Sequence, residues 1–484
     1  MIRNNLTHKL RNRWSGECGY REVLTVAIPL IISTSSWSVQ HFVDRMFLTW
    51  YSPETIAAAM PAGIVNFAIM SLFIGTAQYV NTFVAQYYGA GRFTRIGPAL
   101  WQGMYIAVIG GIVHLLLIPL AGTFFDFVGH EDVVRQHETV YFSTLCLGAF
   151  FAIASSAMSG FFSGRSETWP IMWVNILATA VNIILDYCMI FGNLGFPELG
   201  IMGAGLATVA SAVFSFTAYL FLISRRTYNS RFHTLSGWRI DGELFRRLLR
   251  YGLPNGVQFF LDVAGFTNFL LLIGRLGTDS LAATNIAFNI NSIAFMPMIG
   301  LGMAVSVLVG QHIGKGSPDM AERSVYSGFH LTFLYMTTIA ALYIFTPGLF
   351  LAPFASNADP ERFKAIGDLT IVLLRFVALY SIFDAFTVIF AAAIKGAGDT
   401  RFVMYTIITL SSTVMVIPSF IALELFNASI YTGWTIVTLY VIILGIVFFL
   451  RFRKGVWKTM RVIEKIPPAL PLTLPEMPTS ELEP

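Results

Sequence analysis

The chain has 484 residues, 55% of them hydrophobic and only 12% charged, and its mean hydropathy is +0.67. A soluble domain carries about 25% charged residues, so this composition excludes a soluble globular enzyme and defines an integral membrane protein. The formal net charge of +4 carries no nucleic-acid signature, and three cysteines without paired or metal-ligand spacing (Cys18, Cys146, Cys188) argue against a disulfide framework.

A crossing needs about 20 predominantly apolar residues. Runs of that length start near Glu22, Thr55, Gly97, Thr139, Thr168, Gly200, Leu248, Ser280, Arg323, Gly367, Arg401 and Ile430, which predicts twelve helices. The polar, basic first stretch is followed by an apolar run of full spanning length with no small-residue cleavage site, so it reads as a retained first helix. Pro29, Pro119, Pro254, Pro297 and Pro418 fall inside the runs and predict local kinks. From Pro467 onward the chain is rich in proline and glutamate and reads as disordered.

Basic residues set an orientation. With the N-terminus in the cytoplasm, both termini and the even-numbered connections hold 25 of the 31 Lys and Arg residues, all but Arg45, Arg135, Arg275, Arg362, Lys364 and Arg375. The odd-numbered connections carry Asp126, Glu131, Asp132, Glu198 and Asp359 instead, a pattern that follows the positive-inside rule with both ends cytoplasmic.

The chain also repeats itself. Shifted by 225 residues, Pro29 falls on Pro254, Asn66 on Asn291, Gly75 on Gly300, and Gln86, Gly89 and Gly91 on Gln311, Gly314 and Gly316. At a shift of 232, Gly164 meets Gly396 and Thr168 meets Thr400. Two halves of six crossings each share one orientation, related by an axis along the membrane normal, an arrangement that binds substrate between the halves. The expected organisation is therefore an all-α membrane protein of twelve transmembrane helices in two six-helix lobes, a parallel internal repeat, around a central cleft. Its segments are an N-terminal stretch (1–21), an N-terminal lobe (22–224), a basic cytoplasmic linker (225–247), a C-terminal lobe (248–453) and a disordered tail (454–484).

Within the apolar fifth run, Asn182 and Asp186 are four apart and share one helix face. An Asp at the centre of a spanning helix costs about 2.5–3.5 kcal/mol on insertion scales, so it should face protein or a wet cavity. Counting at 1.5 Å per residue, Asp44, Asp186 and Thr208 lie at one depth, roughly 9–12 Å below the outer surface. Two carboxylates with an amide and a hydroxyl are hard oxygen ligands suited to Na+, while two carboxylates alone at close range share one proton, since like charges resist ionising together. The alternative is a polar pair that merely joins two helices. The repeat bears on that choice: Asp44 overlays Phe269, Asp262 overlays Trp37, Asp186 overlays Pro418 and Asp384 overlays Ala152, so none of the acids is a constant of the fold.

The Val-Asp near the end of helix 1, the Gln-x2-Gly-x-Gly closing helices 2 and 8, and the Asn-x3-Asp of helix 5 together resemble the multidrug and toxic compound extrusion (MATE) family, over residues from about 20 to 455. The resemblance implies a secondary antiporter in a bacterial inner membrane. It would expel lipophilic, often cationic, small molecules in exchange for inward Na+ or H+, working as a monomer without a cofactor. Carried over by position, Asp44, Asn182, Asp186 and Thr208 would form the cation site with Tyr141 near it, and Na+ would bind Asp44, Asn182 and Asp186. Asp262 and Asp384 would serve substrate or cation in the C-terminal lobe. The chain departs from the family at Trp37, where Gln is usual with Gln40 one turn displaced, and at Arg45, where Thr is usual. A lipid-linked oligosaccharide or lipid flippase of the same superfamily is the rival reading, disfavoured by the acidic mid-membrane charges. No catalytic motif such as HExxH or DDxxD supports an enzyme.

Overall fold

A computed structural model describes residues 13–355 and 360–464. The apolar runs become helices because a bilayer offers the backbone no water and every N–H and C=O must be satisfied within the segment. Among the described residues twelve helices are long and apolar enough to cross a membrane: α1 (Tyr20–Tyr51), α2 (Pro53–Gly89), α3 (Phe93–Val128), α4 (Asp132–Ser163), α5 (Trp169–Phe191), α6 (Ile201–Ile223), α7 (Gly242–Gly274), α8 (Thr278–Lys315), α9 (Pro318–Phe345), α10 (Phe363–Ala397), α11 (Thr400–Leu425) and α12 (Ile430–Arg453).

Two starts fall well before the expected ones, for one reason. The first turns of α4 and α7 are amphipathic rather than uniformly apolar. In α7, Leu244 and Leu248 are buried while Arg246 and Arg250 are exposed, and the Asp241 side chain caps the start by accepting the Leu244 N–H at 3.0 Å. The segment expected as a linker (225–247) is thus shorter than the charge pattern implies: Arg226–Phe232 is itself helical and residues 242–247 belong to α7. The prolines act as expected at two places, with a 3-10 turn at Ile118–Leu120 around Pro119 and π-helical turns at Ser411–Val416 and Ile421–Leu425 flanking Pro418.

The helices gather into two lobes. In the first, α4 packs against α2, α3 and α6, while α5 packs against α1 and α6; in the second, α10 packs against α8, α9 and α12. The lobes meet where α1 and α2 cross α7 and α8. Every hydrogen bond or ring contact described between them lies between the middle of the bundle and the helix ends that carry most of the Lys and Arg, here called the basic end; the opposite end is the acidic end. The Thr34 hydroxyl donates to the Met296 carbonyl at 3.2 Å, the Asn255 amide to the Gly75 carbonyl at 2.8 Å, and the Phe67 and Phe259 rings touch edge-on at 5.7 Å. Beyond Phe67 toward the acidic end, no hydrogen bond or ring contact joins the lobes among the described residues.

At the basic end the repeated motif becomes a reciprocal grip. The Gln86 side-chain N–H donates to the Gly396 carbonyl at 3.1 Å, and Gln311 donates to the Gly164 carbonyl at 2.8 Å, each glutamine reaching into the other lobe. Glycine is required beside them: a Cβ on Gly89 would lie 1.9 Å from the Gln311 carbonyl oxygen, and one on Gly314 would lie 2.1 Å from that of Gln86. The chain then turns at Gly91 (φ +71°) and Gly316 (φ +82°), in the left-handed region.

Residues 454–464, expected within the disordered tail, are ordered. After a short turn at Val456–Thr459, with Trp457 stacked on Phe452 at 5.1 Å, the irregular end crosses to the first lobe. The Val462 N–H donates to Gln86 Oε1 at 2.9 Å, and the Glu464 carboxylate accepts from the Tyr87 hydroxyl at 2.9 Å and from Arg95 at 3.0 Å. Burial alone would raise the Glu464 carboxyl, but hydrogen bonds from backbone N–H, Tyr87 and Arg95 outweigh it and hold the group below the usual glutamate range. The proline-rich stretch from Pro467 and the N-terminal residues 1–12 lie outside the described residues.

Candidate ion and substrate sites

α1 and α5 pack side by side, and the Asp44 and Asp186 carboxyls meet between them. Asp186 and Asn182 are fully buried and Asp44 is 7% exposed. The Asn182 amide stands between the acids. With its nitrogen turned toward them it donates to Asp44 Oδ1 at 2.9 Å and to Asp186 Oδ2 at 3.2 Å, whereas the opposite orientation would set its carbonyl against two acceptors. The two carboxyls are also within hydrogen-bond reach of each other. No Lys or Arg forms an ion pair with either among the described residues, so two bare charges at this separation would repel in a dry environment.

One acceptor, Asp186 Oδ1, is buried without a partner, which is the unmet need that a proton or a small cation would fill. Among the described residues no group of three or more His, Cys, Asp and Glu is placed to hold a metal, so a cation here would rest on two carboxylates plus neutral oxygens. Tyr141, on α4, is buried and close enough to both carboxylates to feel their charge. Thr208 is half-buried on α6 and makes no hydrogen bond to the pair among the described residues; its helix approaches the site through Gly205, whose added Cβ would meet Thr144 at 2.8 Å and Tyr141 at 3.6 Å. The structure therefore joins Asp44, Asn182 and Asp186, sets Tyr141 beside them, and leaves Thr208 outside the bonded set.

In the second lobe Asp262 is exposed midway along α7, three residues beyond Phe259. The Gln258 amide donates to Asp262 Oδ2 at 3.4 Å, and Lys395 Nζ on α10 donates to Gln258 Oε1 at 3.2 Å. Asp384, also on α10, is 9% exposed, and Tyr440 on α12 is near enough to feel both Asp262 and Asp384, so these acids face one interior. Gln258 and Lys395 escaped sequence reasoning. Lys395 reads as part of a basic connection because it sits near the end of its apolar run, yet α10 continues past it to Ala397. Glu138 was missed as well: it is fully buried on α4 with its carboxylate on His130 at 2.8 Å, hidden in the sequence by the acidic connection preceding it.

Aromatic rings line the path between the two sets. His41 contacts Trp37 at 5.0 Å, Trp37 contacts Phe67 at 5.4 Å, and Phe67 contacts Phe259 at 5.7 Å, a row from α1 through α2 to α7 just where the lobes part. Trp37 is 43% exposed although it stands in mid-helix.

Twelve membrane-spanning helices in two six-helix lobes, with carboxyls buried between two helices of the first lobe, define a two-lobe membrane transporter. The MatE family model matches residues 29–188 and 254–421, once in each lobe, and the chain belongs to the MATE family. A probable multidrug resistance protein NorM from Bradyrhizobium diazoefficiens is 30% identical over 386 residues, spanning 78% of this chain and 81% of that protein. The multidrug resistance protein PmpM of Pseudomonas aeruginosa is 29% identical over 386 residues, 79% of this chain and 80% of that one. In fold the chain resembles a multidrug resistance MATE family transporter of the MOP superfamily solved in an outward-facing conformation, with a TM-score of 0.82 at 20% identity over 91% of this chain and 97% of that one.

Proposed function

We propose that this chain is a secondary active antiporter of a bacterial inner membrane, working as a monomer with no cofactor and exporting lipophilic, cationic drugs or metabolites in exchange for inward Na+ or H+. The observation that carries the reading is the Asp44–Asn182–Asp186 cluster, two carboxyls held by one amide in a membrane-spanning bundle with an acceptor left unfilled. The names of the NorM and PmpM relatives support drug export. The positive-inside rule puts the basic end in the cytoplasm with both termini, so the cleft, joined at the basic end, opens outward.

α1 links the two tasks. Asp44 lies near its outer end, while Ile31 and Thr34, about three to four turns away, bear on Gly300 and Met296 of the second lobe. A Na+ or proton arriving from outside relieves the repulsion between Asp44 and Asp186 and lets α1 settle differently against α5, which shifts the inter-lobe contacts at its middle. The drug rests against Trp37, Phe67 and Phe259, whose ring faces attract cations, with Asp262 as a counter-charge. Linkage then requires each ligand to weaken the other by the same factor.

The test is ethidium efflux from proteoliposomes with a Na+ gradient and a pH gradient imposed separately, for wild type, Asp44→Asn and Asp186→Asn. Wild-type efflux under one gradient, lost in both variants at normal membrane levels, is the expected outcome. Na+-driven efflux makes the cluster a metal site and pH-driven efflux makes it a proton relay. Undiminished efflux by Asp186→Asn, or none by wild type under either gradient, overturns the proposal.

A further inference from the structure

A cavity of about 850 Å³ opens at the basic end between the first turns of α7 and the start of α11. Its charged wall carries Glu243, Arg246, Arg247 and Arg250 from α7 and Arg401 from α11. Arg247 is already matched, by Glu243 at 2.6 Å and Glu464 at 3.6 Å. Asp399, two residues before Arg401, is held by Arg451 at 2.8 Å. Arg246, Arg250 and Arg401 are exposed and form no ion pair among the described residues. The positive-inside rule accounts for arginines at this end of the bundle. It does not account for three unmatched guanidiniums from two helices around one hollow, where their mutual repulsion calls for an anion.

The rest of the wall says which anion. Positions 246, 250, 253 and 257 follow one face of α7, so the charged Arg246 and Arg250 give way to Leu253 and Val257 as the helix enters the membrane. On α11 the same change runs from Arg401 to Tyr405, one turn on. Leu253 is 43% and Tyr405 61% exposed. A wall that is cationic at the interface and apolar toward the hydrocarbon has the profile of an amphiphile. We propose that this cavity binds an anionic phospholipid of the adjoining leaflet, with its phosphodiester among Arg246, Arg250 and Arg401 and an acyl chain along Leu253, Val257 and Tyr405. A soluble phosphate would meet the charges and leave the apolar wall unused. The lipid pins α7 to α11.

The test uses the full chain in detergent, titrated with phosphatidylglycerol, phosphatidylethanolamine or inorganic phosphate and read by native mass spectrometry. Wild type is expected to retain one phosphatidylglycerol in preference to phosphatidylethanolamine, and inorganic phosphate should not displace it. A basic residue at the membrane surface is worth roughly a factor of five, so the Arg246→Gln, Arg250→Gln, Arg401→Gln triple variant should lose on the order of a hundredfold in retention. Should the triple variant fail to insert, Arg401→Gln alone should lose roughly fivefold. Leu253→Gln should weaken phosphatidylglycerol as well. Equal retention by wild type and the arginine variants, or displacement by inorganic phosphate at comparable concentration, overturns the proposal.

Discussion

Replacing Gln86 by leucine tests whether the grip at the basic end holds the lobes together. Gln86 is fully buried, and its amide serves both the Gly396 carbonyl and the Val462 N–H. Leucine nearly preserves volume but leaves one acceptor and one donor buried and unpaired, at about 1–3 kcal/mol each. The cost falls only on the state in which the lobes touch there, because water satisfies both groups once they separate. The equilibrium should therefore move toward opening of the basic end by about 2–6 kcal/mol, on the order of thirtyfold to ten-thousandfold. The repeat supplies its own control, since Gln311→Leu strands the Gly164 carbonyl and should act in the same direction. Spin labels at Thr94 and Lys315, both exposed, bracket the seam, and the native cysteines Cys18, Cys146 and Cys188 are buried. Pulsed electron-spin distance measurements should show a longer-distance population growing in both variants. Distance distributions identical to wild type in both would refute the reasoning.

Three other outcomes are expected. Gly256→Ala would place a Cβ 2.2 Å from the Leu72 carbonyl oxygen where α7 crosses α2, so thermal unfolding should show a loss of about 1–3 kcal/mol, and an unchanged melting curve would contradict the close crossing. Because the Glu464 carboxyl is held below its usual range, its docking contribution is complete above the ordinary glutamate value of about 4.3 and is lost as pH falls through the lowered one. Pepsin should therefore spare the 454–464 segment down to that pH and attack it below, while Glu464→Gln should be cut at every pH tested. Asp262→Asn should weaken ethidium binding, whereas Lys395→Met, which removes a positive charge one amide away, should strengthen it; equal losses in both variants, measured by fluorescence anisotropy, would remove Asp262 as a counter-charge.

Much of this architecture is legible in the sequence because the membrane enforces it. Lipid makes every crossing an uninterrupted apolar run, and a depth count along α1 and α5 is enough to bring Asp44 and Asp186 to one level. The same count overstates Thr208, since equal depth does not fix which way a helix turns its face. What stays hidden depends on contacts far apart in the chain. Nothing local marks Glu464, whose partner Tyr87 is 377 residues away, or tells Lys395 to look toward Gln258 rather than water. The amphipathic starts of α4 and α7 escape a hydropathy reading because their buried face is covered by protein rather than lipid.

The reciprocal reach of Gln86 and Gln311 is also what two copies of a single six-helix chain would make across a two-fold axis, where residue i of one meets residue j of the other and j meets i. In such a dimer any new side chain appears twice, so an acid gained on one side burdens the other with an identical charge. Joining the copies into one polypeptide lifts that condition while the grip preserves the old symmetry. In the single chain the halves can differ, and they do: Asp44 stands where the other half keeps Phe269, and Asp262 where the first keeps Trp37.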